Sequence, residues 1–177
     1  MHVHRPHLTL SWRLVALVLA FSMVAVLFAG VSPAFAQSGT PRLPAGANAL
    51  QRAYQREQKW LTLQTDNLKR GDQVATRLQT FIDNQNGKGK DTTKLAAALA
   101  AAKTQLADAH SAHDAAAALL STHAGFDNSG KVTDLAQARQ TLTSAVQSLW
   151  KSHRTLCQAL RDMRVALRTY RQANKTS

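Results

Sequence analysis

Residues 134–172, DLAQARQTLTSAVQSLWKSHRTLCQALRDMRVALRTYRQ, carry two helical patterns at once. The first is an apolar seam: Leu135, Ala138, Leu142, Ala145, Leu149, His153, Leu156, Leu160, Met163, Leu167 and Tyr170. Steps of three and four return each of these to one side of a helix. The second is a basic stripe, Arg154, Arg161, Arg164, Arg168, Arg171 and Lys175, spaced by sevens, threes and fours and opposed by Asp162 alone. No Pro or Gly breaks the stretch, so it reads as one long helix over 133–173 that the rest of the chain must cover.

Upstream of it, Gly125, Asp127, Asn128, Ser129 and Gly130 form a polar turn, with Gly125 available as the left-handed residue that stops the preceding helix and Thr133 as the cap of the next. Asp127-x-Ser129 opens like a calcium loop, but Lys131 and the lack of acidic ligands further on spoil the match. A helix over 91–123 precedes this turn. Its seam is Leu95, Leu99, Ala102, Leu106, Ala109, His113, Ala116 and Leu120, and Asp91 offers an oxygen to the amides at its start. Thirteen of the 23 residues from 96 to 118 are alanine, which loses no side-chain entropy in a helix and lets neighbouring backbones approach. Lys103, Asp108 and Asp114 exclude it as a membrane span.

A further helix over 47–84 has the seam Leu50, Tyr54, Glu57, Leu61, Gln64, Leu68, Gly71, Ala75, Leu78 and Ile82, widened by Trp60 and Phe81. Glu57, Gln64 and Gly71 interrupt its apolar character at heptad intervals, which lowers stability and can fix the alignment of neighbouring helices. Asn86, Gly87 and Gly89 supply the turn after it. Three helices joined by short turns predict an all-α fold: an elongated antiparallel three-helix bundle, coiled-coil-like, spanning 47–177. Seams this rich in alanine are also compatible with self-association.

The first 36 residues read differently. A basic start through Arg13, an apolar run over 14–31 and the ending Ser32-Pro33-Ala34-Phe35-Ala36 make a secretory signal peptide, with cleavage expected before Gln37. An uncleaved N-terminal membrane anchor is the alternative, because 18 uncharged residues reach the lower limit for a span. Ser38, Gly39, Pro41, Pro44 and Gly46 mark residues 37–46 as a flexible linker. The address this implies is secreted or cell envelope.

The formal charge is +12, and removing the leader's Arg5 and Arg13 leaves 20 basic against 10 acidic residues, or +10. Acidic partners are therefore favoured: an anionic polymer, a lipid surface or an acidic protein, held through Arg154, Arg161, Arg164, Arg168, Arg171 and Lys175. The bland reading of the same stripe is a solvated face that maintains solubility. No base-reading motif is present, so specific nucleic-acid recognition is not expected. One cysteine, Cys157, excludes an intramolecular disulfide and reads either as a small buried filler or as a bridge between two chains.

An alternative function is metal binding. His110, His113 and Asp114 stand at ligand spacing on one helix, and Asp66 falls level with His110 if the first turn centres near residue 87. The bland alternative places His113 in the seam and His110 in solvent. Catalysis has little to stand on: Ser152, His153 and Cys157 are close in sequence without a motif-fixed carboxylate, and no cofactor motif is present. The Leu-Thr-x-x-Gln repeat of small exported helical chaperones is missing too, since Leu61-Thr62 is followed by Thr65. The reading is an exported, non-enzymatic binding or scaffolding protein.

Overall fold

The computed structural model describes residues 46–175, which form three helices packed together: α1 (Ala47–Asn86), α2 (Thr93–Ser121) and α3 (Leu135–Ala173). The signal peptide expected over 1–36 and nearly all of the expected linker fall outside the described residues. Among the described residues no helix is long and apolar enough to cross a membrane.

Cross-helix bonds give the directions. Tyr54 Oη donates to the Leu120 carbonyl at 2.9 Å and Lys103 Nζ donates to Gln79 at 2.9 Å, so α1 and α2 run oppositely. Gln105 donates to Asp162 and Thr141 to the Ala124 carbonyl, so α2 and α3 do the same. Gln64 meets Ser152 and Tyr170 meets Gln85, which makes α1 and α3 parallel neighbours.

The seams of α1 and α2 are buried as their spacing predicts, with Leu61 only partly so. That of α3 departs. Leu135 is 47% exposed, and His153, Leu160, Leu167 and Tyr170 are half-buried, whereas Thr141, Val146, Ser152 and Ala159 lie fully inside. The helix is rotated so that small residues, Ala138, Thr141, Ala145, Ser152 and Ala159, turn inward. The backbones of α2 and α3 consequently run closer together, and along more of their length, than either does to α1. Gly71 serves the same end on α1: a Cβ there would stand 2.7 Å from Leu156 Cδ1 and 3.0 Å from Leu106 Cδ2.

Capping also differs from expectation in detail. Asp134, one residue after Thr133, caps α3 and accepts from the amides of Ala136 and Gln137. Asp91 does accept from the Thr93 amide at 2.9 Å, although Thr92 occupies the cap position of α2. The second helix ends at Ser121, before the expected 123, and His123 takes the first positive φ, 51°. Gly125 follows at φ 84°, where a Cβ would lie 2.2 Å from the Ala138 amide nitrogen, so only glycine fits. The polar turn is confirmed as a turn: Asp127 Oδ1 accepts from Ser129 and from the Lys131 amide, which holds its carboxyl below the ordinary value. A single bridge, Phe126 to Val132, closes it.

The interior is divided. One apolar cluster gathers Leu50, Tyr54, Leu120, Phe126, Leu142 and neighbours, with Tyr54 stacked on Phe126 at 4.3 Å. A larger one gathers Leu68, Leu78, Ile82, Leu95, Leu99, Leu106, Leu156 and Met163. Between them lies a polar belt of Glu57, Gln64, Ser152 and His113, in which Glu57 Oε2 and Gln64 Oε1 are buried without a hydrogen-bond partner.

Candidate anion-binding face

Every member of the stripe on α3 is exposed: Arg154, Arg161, Arg164, Arg168, Arg171 and Lys175. Counted at about 100° per residue, Arg161, Arg164, Arg168 and Arg171 fall within about 80° of one another. Arg154, about 20° from Arg161 by the same count, shares a shallow open depression with Gln105, Lys151, Thr155 and Gln158 on the α2 side. Asp162, the one acid of α3, is turned away from the stripe and accepts from Gln105 and Gln158.

The parallel packing of α1 on α3 brings up a second row. The side of α1 that faces α2 is marked by Tyr54, Thr65, Asp72 and Gln79, and the side that faces α3 by Trp60, Gln64, Phe81 and Gln85. Arg52, Arg56, Lys59, Arg70 and Arg77 are exposed and fall within about 60° of one another, beyond Trp60 and Phe81 on the side away from α2. Trp150, which meets Trp60 of α1, falls within the angular span of the α3 stripe, about 20° from Arg161, so the stripe borders the same side of the bundle. Two basic rows therefore flank the α1–α3 groove. Of the four acids of α1, Glu57 is buried, Asp72 pairs with His110, Asp83 accepts from Gln79 on the α2 side, and Asp66 stands at the rim.

Aromatic rings floor the groove between the rows. Trp60 meets Trp150 edge-on at 5.6 Å, both touch His153, and Phe81 meets Tyr170 edge-on at 5.7 Å. Cys157 is partly buried beside them, with Sγ 3.7 Å from His153 Nε2. Burial pushes the Cys157 thiol up and the His153 imidazole down, which opposes a thiolate–imidazolium pair. The Arg161 guanidinium draws the thiol back down by less than burial raises it.

The metal alternative finds its residues engaged elsewhere. His110 Nε2 lies 3.0 Å from Asp72 Oδ2, and His113 Nε2 sits between Thr65 Oγ1 and the Leu61 carbonyl while its Nδ1 meets Asp114 at 3.2 Å. Asp66 does not join His110. It follows Thr65, which faces α2, and one residue turns it about 100° away toward solvent. Among the described residues no group of three or more His, Cys, Asp or Glu could hold a metal ion.

Spacing within α3 exposes its own stripe, whereas Glu57, Asp66, Asp72 and Asp83 mask the row on α1 in any count along the chain. A helical plot of α1 that separated acids from bases would have revealed it. Comparison with protein-family models, with curated proteins and with solved structures finds no match for this chain.

Proposed function

We propose that this is an exported, non-enzymatic helical binding or scaffolding protein of the cell envelope or extracellular space, engaging an acidic partner through the basic stripe of α3. In this reading residues 1–36 direct export and are removed before Gln37, and residues 47–177 form the antiparallel, coiled-coil-like bundle that presents the stripe. The observation that carries it is segregation. The arginines of α3 project from a face from which Asp162, the one acid of that helix, is turned toward α2. A charge serving solubility alone has no reason to avoid one helix and crowd another.

Guanidinium groups suit phosphate or carboxylate partners, and binding by such a row weakens steeply with salt. The test is the joint substitution of Arg161, Arg164, Arg168 and Arg171 by Glu, followed by recovery with envelope extract at low and high salt. Loss of association in the variant supports the reading. Unchanged association with unchanged salt dependence would reduce the stripe to a solubility surface.

A further inference from the structure

The two-row face also carries an exposed apolar side chain. Leu63 is 62% exposed on α1, one turn from Lys59 and two from both Arg56 and Arg70. Trp60 and Trp150, half-buried, fill the groove between the helices. A leucine left in water amid basic residues is hard to explain by packing, since the same helix buries Leu50, Leu68 and Leu78.

We propose that the α1–α3 face docks on an anionic phospholipid surface, with both basic rows against the headgroups and Leu63 entering the interfacial layer. This rests on the anion-binding reading above and names its partner. Three features favour a lipid surface over a polyanion. Two parallel helices present a broad face, which suits a plane. Exposed aliphatic groups gain by leaving water for acyl chains, and a sugar-phosphate chain offers them nothing. Trp60 and Trp150 are turned edge to face on each other, so neither ring is set up as a free stacking platform for bases.

The test compares full-length chains by co-sedimentation with vesicles of phosphatidylcholine alone or with about a third phosphatidylglycerol, at low and high salt. The leader is common to all variants, so differences report the face. Wild type is expected to prefer the anionic vesicles and to lose that preference at high salt. Joint substitution of Arg52, Arg70 and Arg77 by Gln should weaken anionic-vesicle binding about a hundredfold, and Leu63→Ala about fivefold. A control with Lys90, Lys94 and Lys103 changed to Gln loses the same charge elsewhere and should stay within about twofold.

Circular dichroism of each variant confirms retained helix. Anionic-vesicle binding that ignores the α1 substitutions overturns the proposal. So does stripe-dependent binding to polyphosphate or a single-stranded oligonucleotide with no preference for anionic vesicles, an outcome that leaves the anion-binding reading standing. Failure to bind any of these anions removes both.

Discussion

Helices α2 and α3 share the closest interface in the bundle, yet their outer surfaces have almost nothing in common. The first sets Lys94 and Lys103 against Asp108 and Asp114 and fills its remaining outer positions largely with alanine. The second carries Arg139, Lys151, Arg154, Arg161, Arg164, Arg168 and Arg171 against Asp162. Both halves of one interface are satisfied by small residues and leucines, so packing does not call for the arginines. The difference separates what holds the bundle together from what it displays.

The sharpest way to break that comparison is to damage the shared interior. Leu149 is fully buried, and Leu149→Ala should cost about 2–5 kcal/mol, read as a fall in the denaturation midpoint. Ala109 is equally inaccessible, and Ala109→Leu should cost about 1–3 kcal/mol by forcing α2 off its neighbours. If this substitution were neutral, alanine in α2 would reflect helix propensity alone and not close approach.

The polar belt gives an effect of middle size with a pH signature. Burial raises the Glu57 carboxyl above its ordinary 4.5, and the Arg56 guanidinium, 3.1 Å from Oε1, partly offsets this. A raised folded-state value means that the stabilising contribution is fully present below about 4.5 and is lost as pH rises through the folded value. Glu57→Gln should flatten that fall in a series of denaturant titrations. Glu57→Leu should add about 1–3 kcal/mol near neutral pH, because it removes a buried carboxylate oxygen that has no partner. Smallest of all, each of Arg161→Gln, Arg164→Gln and Arg168→Gln should change stability by less than about 0.5 kcal/mol. A larger loss would mean that the stripe helps to hold the fold.

Much of the fold was legible along the chain because heptad spacing is a direct projection of burial: Leu95, Leu99, Leu106 and Leu120 could face nowhere else. The rotation of α3 was not legible. Ser152 and Thr141 are poor core residues by type, and inside the bundle their hydroxyls meet Gln64 of α1 and the Ala124 carbonyl. His153 looked like a seam member and proved to be its aromatic edge. The stripe could be read from one helix, whereas the row on α1 needed to know that α1 and α3 run side by side in the same direction. The pairing of His110 with Asp72 in preference to Asp66 turned on a side-chain direction that the level along the axis does not fix.

The central claim is that charge acts here by position and not by amount. Two variants of equal net charge separate these directly: Arg161, Arg164 and Arg168 changed to Gln, and Lys90, Lys94 and Lys103 changed to Gln. The measurement is their affinity for a phosphate-bearing surface across rising salt. The first should bind far more weakly than wild type with a shallower salt slope, and the second should remain close to wild type. Equal losses in both would contradict the claim.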